Sequence, residues 1–277
     1  MITTVANFGS SAKLGKKEAE ETAMAYLWCL VQAGQIVKEY FVTWVNQQLV
    51  AHVGQTGPGA VGLRYHSKYG KEELKKVSDL FGQPPCWSII DDEIPKRRPT
   101  WKGAPSLYLF TAALAKDSCV CRGDGKRPIP IYLLPLKDDI KEDLGRWERD
   151  YLAHDELWLS SGALEIPVYR QMAEPTSQLA QLGRGLCQQL EQATGLPTYY
   201  YLIRFWGRSK GEEHRSCPGC NRDWSRPHPS GRPFHEFDFR CEPCRLVSHI
   251  GSVSHGARYA RIGEFKPSNK ANDSGAL

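Results

Sequence analysis

The sequence of 277 residues lacks several features that would assign it to a class at once. It has no run approaching the roughly 18 apolar residues of a transmembrane helix, so we expect no membrane partner. Residues 1–7 show no basic stretch followed by an apolar stretch and a cleavage site, so we expect no secretory signal. The cysteine count is nine, an odd number that favours reduced thiols or metal ligands over a disulfide framework. These absences together predict a cytoplasmic protein.

Motifs of the common enzyme classes are also missing. The sequence contains no GxSxG elbow, no HExxH helix and no GxxxxGK[ST] phosphate-binding loop. Residues 154–156 read His-Asp-Glu, but the Pro-Cys-x-x-Cys that completes a zinc deaminase site does not follow them. The histidine of this segment lies on the apolar helix face between Tyr151 and Trp158, where a hydrogen-bonded histidine at the core edge is typical. No catalytic residue is predicted, and an enzymatic role stays open with the balance against it.

The charge of the chain is distributed unevenly. The formal net charge is +5, and the segment from Arg204 to Leu277 holds 13 basic and 8 acidic side chains. The whole excess therefore lies in the last quarter of the chain. A locally basic segment is typical of a surface that binds phosphate groups, although a solvated arginine-rich domain gives the same pattern.

The first hundred residues alternate strand and helix patterns. Strand patterns cover residues 2–8, 40–45, 49–53 and 86–90, and helix patterns cover residues 16–33 and 71–80. The order βαββαβ predicts a ferredoxin-like unit over residues 1–100.

A second α+β unit is predicted over residues 101–206, after a basic, proline-bearing link. Its strand patterns cover residues 107–110, 129–134 and 199–205, and its helix patterns cover residues 137–158 and 178–193. The fold class is therefore α+β. A zinc ribbon over residues 207–265 and a flexible tail over residues 266–277 complete the predicted organisation.

Two cysteine pairs carry the strongest chemical signal. Cys217 and Cys220 form one CxxC motif, and Cys241 and Cys244 form a second one after twenty intervening residues. Four thiolates in two close pairs satisfy the tetrahedral geometry of zinc, and a site closed by four cysteines has no open position for substrate. The sequence therefore predicts one structural Zn²⁺ per chain, whereas four unrelated free cysteines are the alternative.

The residues around the pairs support a metal site of the ribbon type. Apolar and polar side chains alternate over residues 235–241, and residues 246–250 read as the return strand. A histidine in place of one cysteine is a weaker alternative, since four cysteines already complete the tetrahedron. The histidines in question are His214, His228, His235, His249 and His255.

The two pairs and their flanks resemble a known family. The aromatic segment 201–207, the first cysteine pair and residues 239–248 are similar to a family of uncharacterised bacterial proteins, described as zinc-ribbon-containing with a suggested nucleic-acid-binding role. The resemblance is best over residues 198–250. It implies the four metal ligands and transfers no catalytic residue.

Two functions remain open at this point. In the first, the basic C-terminal domain binds nucleic acid, and the candidate contacts are Arg222, Arg226, Arg232, Arg245 and Trp224. In the second, the protein is a protein-interaction or inhibitor module, for example a toxin-neutralising immunity protein, and zinc is purely structural. Arginines beside the cysteines, Arg215 and Arg240 among them, could also serve only to offset the charge of the metal centre.

Overall fold

A computed structural model describes residues 1–10, 15–90, 98–113, 118–226, 233–254 and 257–267. The chain is of mixed α+β structure and divides into two compact units. Unit 1 comprises Met1–Ala153 and Gly185–Thr198, and unit 2 comprises His154–Arg184 and Tyr199–Leu277. The predicted domain limits at residues 100, 206 and 265 remain a prediction. Within the described ranges, no helix is both long enough and apolar enough to cross a membrane.

Unit 1 begins with a four-stranded antiparallel sheet covered by two helices. Its elements are β1 (Ile2–Gly9), α1 (Lys16–Gln32), β2 (Ile36–Val45), β3 (Gln48–Gln55), α2 (Lys68–Phe81) and β4 (Cys86–Ile89). The strands lie in the order β2-β3-β1-β4, and each neighbouring pair is antiparallel. The six elements match the predicted strands and helices in type and order.

The core of this region follows from the period-two burial of β1. Alternate residues of β1 are buried, and among them Ala6 and Phe8 face α1 and α2. Phe8 packs edge-on against Tyr26 of α1, with ring centroids 6.5 Å apart. Leu27 of α1 and Val77 of α2 complete the same cluster. The alternating pattern in the sequence thus places one face of the sheet against the helices.

Local signals fix the ends of these elements. Ser67 caps α2 by accepting a hydrogen bond of 3.1 Å from the Gly70 backbone N–H. Between β2 and β3 the chain reverses over two residues, Asn46 at φ 47° and Gln47 at φ 64°. Positive φ at both central positions is the conformation that two-residue hairpin turns require.

The rest of unit 1 departs from prediction at one segment. β5 (Leu107–Leu109) pairs antiparallel with β6 (Val120–Arg122), and α3 begins at Asp138. The strand predicted over residues 129–134 is wrong, because residues Ile131–Leu133 form a short 3₁₀ helix. Pro130 lacks the N–H that a ladder needs, and it stands at the start of this helix.

Unit 2 contains short strands and the end of α3. Its elements are the end of α3 (Asp138–Ser160), α4 (Glu165–Ala173), the first part of α5 (Gln178–Thr194), β7 (Thr198–Tyr201), β8 (Trp206–Gly207), β9 (Phe239–Cys241), β10 (Leu246–Ser248), β11 (Val253–Ser254) and α6 (Ala257–Ala260). β10 pairs with β9 in antiparallel and with β7 in parallel fashion, and β8 pairs with β11 in parallel fashion. The strands predicted here are present in part, whereas α4 and the β8–β11 pair were not predicted.

Candidate metal centre

Unit 2 brings the four predicted cysteines together. The sulfur atoms of Cys217, Cys220, Cys241 and Cys244 all lie within 4.8 Å of one another, and those of Cys220 and Cys241 are 3.6 Å apart. A tetrahedral site with Zn–S bonds of about 2.3 Å separates its sulfur atoms by about 3.8 Å. A disulfide would require about 2.05 Å, and all four thiols are free. This donor set could hold a metal ion.

The first cysteine pair sits on a tight turn closed by backbone hydrogen bonds. The Asn221 N–H donates to the Cys217 carbonyl oxygen over 2.8 Å, and the Gly219 N–H points at the Cys217 sulfur from 3.4 Å. A Cβ atom on Gly219 would stand 2.9 Å from the Cys244 sulfur. Only glycine fits at this position, because any side chain would press into the sulfur cluster.

The second pair occupies the turn between two strands. Cys241 ends β9, Cys244 lies in the turn, and Arg245 precedes β10. Arg245 has φ 52° and Asn221 has φ 60°, so the residue after each pair adopts the left-handed conformation. For a residue with a side chain this conformation costs about 1–2 kcal/mol. Both turns therefore have the same left-handed residue after the cysteine pair, and in both turns the two cysteines reach the same sulfur cluster.

Burial controls the acidity of the thiols. Cys217 and Cys241 are buried, and Cys220 and Cys244 are half-buried. Burial raises the pKa of Cys217 well above its usual range and raises the pKa of Cys244 to about 12. At Cys220 burial acts in the same direction, but hydrogen bonds from the Arg222 backbone and from the neighbouring thiols lower the pKa overall. A bound cation is what would allow four thiolates to occupy this volume together.

A buried arginine ties the first cysteine segment to the two strands. The guanidinium of Arg215 lies close to the rings of both Trp224 and Phe239, 4.7 and 4.2 Å from their centroids. Its Nη2 donates to Ser248 Oγ over 2.6 Å, and its Nε lies 3.2 Å from Glu212 Oε1. We call the region around the four cysteines, residues 207–226 and 233–254, the lobe. Arg215 therefore contributes to the packing of the lobe, whereas the sequence indicates only that it offsets the negative charge of a metal centre.

Trp224 is not placed as predicted. Only 3% of its surface is exposed, and its ring stacks on Phe239 at 5.1 Å and 25°. Its Nε1–H donates to the Arg215 carbonyl oxygen over 2.8 Å. A base-stacking contact requires an accessible ring face, so the expectation for Trp224 is corrected to a core role.

Three arginines gather around one carboxylate at the surface next to the second pair. Arg226 Nη2 lies 3.6 Å and Arg245 Nη1 lies 2.9 Å from the carboxylate oxygens of Glu242. The guanidinium of Arg240 lies over the Tyr199 ring, 4.4 Å from its centroid, and Tyr199 Oη donates to Glu242 over 2.5 Å. We call these three arginines with Glu242 the arginine cluster. Arg226 and Arg245 are among the contacts predicted from the sequence, whereas the position of Tyr199 under Arg240 and Arg245 was not predicted.

The remaining predicted residues separate into two groups. Arg222 is exposed on the segment that leaves the first pair. Arg232 lies outside the described residues, as do His228 and His255. Among the described histidines, none joins the sulfur cluster. His249 instead bonds the Phe234 carbonyl oxygen through Nε2 at 2.9 Å and faces Asp238 through Nδ1 at 3.3 Å.

Comparison with family models finds two adjacent matches. Residues 102–203 match the Domain of unknown function (DUF2310), and residues 207–253 match the Domain of unknown function (DUF8594). The second match contains both cysteine pairs and the arginine cluster. Neither description names a metal or a ligand.

Comparison with curated proteins finds relatives in Haemophilus influenzae. One "Uncharacterized protein" is 34% identical over 182 residues, which are 65% of this chain and 67% of the relative. A second one is 34% identical over 154 residues, which are 55% of this chain and 72% of the relative. Among solved structures, "Structure of Rv0793 from Mycobacterium tuberculosis" aligns with 35% of this chain and 98% of its own, at 14% identity and a TM-score of 0.25. A score that low assigns no fold.

Proposed function

The chain belongs to the same bacterial family as these two Haemophilus influenzae relatives, and we propose that its four cysteines hold one structural zinc ion in a lobe that binds nucleic acid. The observation that supports metal binding is that four sulfur atoms, on two turns of similar conformation, lie within 4.8 Å of one another. Four sulfur donors in a tetrahedron are typical of zinc or iron–sulfur sites, and two CxxC turns favour zinc. Four protein ligands fill the coordination sphere, so the ion would serve the fold and not a reaction.

The architecture around this lobe supports two further assignments. The strand order β2-β3-β1-β4 with α1 and α2 on one face is what we infer to be a ferredoxin-like unit. The lobe itself, with the β9–β10 hairpin carrying one pair, we assign to the zinc-ribbon type. We infer a cytoplasmic location from the odd number of nine cysteines, which favours reduced thiols or metal ligands over a disulfide framework.

The nucleic-acid proposal rests on the arginine cluster. Arg226, Arg240 and Arg245 all lie within ion-pair distance of one carboxylate, Glu242, so this group of four side chains has a formal net charge of +2. The guanidinium groups of Arg240 and Arg245 lie over the Tyr199 ring, 4.4 and 5.5 Å from its centroid. Exposed Arg222 extends the same charge toward the first pair. Arginine forks match the geometry of phosphate oxygens.

Metal analysis tests the first part of the proposal. Protein purified without chelator is expected to contain about one zinc per chain, and a Cys220→Ser variant is expected to lose most of it. A Cys86→Ser variant is the matched control, because Cys86 is exposed in unit 1 and outside the cluster. A ratio near zero in the parent would overturn the zinc assignment.

Salt-dependent binding tests the second part. Fluorescence anisotropy with a labelled single-stranded RNA and a duplex DNA is measured at several salt concentrations. A double variant, Arg222→Glu with Arg226→Glu, is expected to keep its zinc and to lower the salt slope by about one per lost phosphate contact. Arg170→Glu, on the exposed side of α4, makes the same charge change away from the lobe. If the double variant keeps the parent slope, this surface does not bind nucleic acid.

A protein-binding role is the second candidate, and one observation favours it. Phe234 is 44% exposed and stands at the edge of an aromatic group with Tyr201, Phe237 and His249. An exposed aromatic ring on a rigid aromatic base is typical of an interface anchor. Absence of any nucleic-acid affinity in the parent at low salt would favour this role, with zinc serving structure alone.

A further inference from the structure

Unit 1 contains a cavity that the metal lobe does not use. It lies between the C-terminal half of α1, the start of α2, the 3₁₀ helices Leu63–Tyr65 and Ile131–Leu133, and the first turns of α3. Its volume is about 180 Å³. Pockets for drug-sized ligands measure about 300–1,000 Å³. The occupant must therefore be a small molecule.

One wall of the cavity is aromatic and fixed in place. The rings of Tyr65 and Tyr132 meet edge-on, with centroids 4.7 Å apart at 64°. Tyr132 is buried, and Tyr65 is held from behind by Arg98, whose Nη1 donates to the Tyr65 hydroxyl. The guanidinium of Arg64 lies 4.7 Å from the Tyr65 ring centroid. Because the wall is already ordered, an apolar or planar group that packs on it loses little further freedom of the protein.

Two side chains of opposite charge also line the cavity. Consecutive residues of α3, Lys141 and Glu142, both line the cavity and are half-buried. Within the part of the chain that the structure describes, neither side chain forms an ion pair or a hydrogen bond. Arg146, one turn further along, is engaged with Asp143 at 3.0 Å. The cavity is thus lined by one ammonium and one carboxylate that form no ion pair within the described residues, with the exposed carboxylate of Asp138 also in the lining.

The electrostatic setting agrees with this geometry. Burial lowers the pKa of Lys141, and the charge of Asp138 opposes that change only in part. Burial also raises the pKa of Cys29, with Glu142 among the charges that add to the effect, so this wall thiol stays neutral. A half-buried charge without a partner costs free energy, and a ligand group of opposite charge recovers it.

We propose that this cavity binds a small zwitterionic α-amino acid with an apolar or aromatic side chain. Its carboxylate lies against Lys141, its ammonium lies against Glu142, and its side chain packs on Tyr65 and Tyr132. A simple anion would satisfy Lys141 and leave Glu142 without a counter-charge, and a simple cation would do the reverse. A ligand that carries both charges satisfies both residues.

Calorimetric titration with matched ligands tests the two charges separately. The probes are L-phenylalanine, 3-phenylpropionate, which lacks the ammonium, and 2-phenylethylamine, which lacks the carboxylate. L-phenylalanine is expected to bind. Each analogue is expected to have an affinity at least about tenfold lower, because a hydrogen bond to a charged group is lost. No binding of L-phenylalanine or L-leucine at millimolar concentrations overturns the proposal, and so does equal binding of an analogue.

Variants assign the charges to residues. Lys141→Met keeps the aliphatic stem, Glu142→Gln keeps the shape, and each is expected to weaken L-phenylalanine binding about tenfold. Lys137→Met and Asp139→Asn are exposed matched controls outside the cavity lining and should bind as the parent does. Circular dichroism confirms that each variant is folded. A folded Lys141→Met or Glu142→Gln protein with parental affinity would falsify the placement of the ligand.

Discussion

The two ends of the chain reach order by different means. The N-terminal region stacks two helices on a four-stranded sheet and buries large side chains such as Phe8, Tyr26 and Leu27. The lobe around the cysteines has strands of only two or three residues. Apolar burial stabilises by about 25 cal/mol per Å², so a region with so little sheet needs another source of free energy. We therefore expect that loss of the proposed metal destabilises the lobe and leaves the N-terminal region folded.

Loss of the metal is the largest expected effect. Cys217→Ser should remove the zinc and unfold the lobe, because structural zinc supplies on the order of 10 kcal/mol of apparent binding free energy. Hydrogen–deuterium exchange should show lost protection in peptides from residues 207–254 and unchanged protection in peptides from residues 2–89. Cys86→Ser is the control. Equal protection of the lobe in both variants would mean that apolar packing alone holds it.

The carboxyl group of Glu148 in unit 1 should make stability depend on pH, with an effect of intermediate size. Glu148 of α3 accepts hydrogen bonds from the backbone N–H and the thiol of Cys119, and burial raises its pKa from 4.5 to about 7. A raised carboxyl pKa means that its stabilising contribution is present at low pH and is lost as pH rises through 7. Between pH 5 and pH 8 the parent should lose roughly 2–3 kcal/mol more stability than Glu148→Gln.

Urea unfolding at both pH values measures this difference. The matched control is Glu156→Gln, an exposed position on the same helix, which should follow the parent at both pH values. If Glu148→Gln and the parent keep a constant difference across the range, Glu148 does not titrate as a buried group.

The smallest expected effect is an increase in stability from a substitution in the N-terminal region. Gln47 holds φ 64° in the β2–β3 turn, and the preferred pair for this turn is Asn-Gly. Gln47→Gly should stabilise the protein by about 0.5–1 kcal/mol, seen as a higher urea midpoint. Gln48→Gly, one residue later at the start of β3, should destabilise instead, because glycine weakens a strand. A loss of stability in Gln47→Gly would show that the turn is not strained.

The N-terminal region and the lobe also differ in how much of their structure could be predicted from the sequence. Period-two and helical patterns are strong where one face is buried, so the elements from β1 to β4 were predictable in type and order. Spacing alone picked out the four cysteines. It could not reveal that Trp224 packs inward on Phe239, because an aromatic residue beside a basic segment has the same pattern whether it is exposed or buried.

Other features carry no local signal at all. The 3₁₀ helix at Ile131–Leu133 follows an apolar run that also suits a strand, and only Pro130 argues against pairing. The cavity of unit 1 joins α1, α2 and α3 across more than a hundred residues of sequence, so its two charges and its tyrosines meet only in the folded chain.

The parallel pairing of β7 with β10 sets the order in which the protein can form during synthesis. Tyr200 pairs with Leu246, and the buried guanidinium of Arg204 donates to the Ile262 carbonyl oxygen over 2.6 Å. These two contacts therefore cannot form until the chain has been made as far as Ile262, whereas the sheet of residues 2–89 needs only its own segment. Domains generally fold from the N-terminus as they are made, and distant pairings are slow. The first cysteine pair is thus made before the second, and the proposed metal site would be completed only after Cys244 has been made.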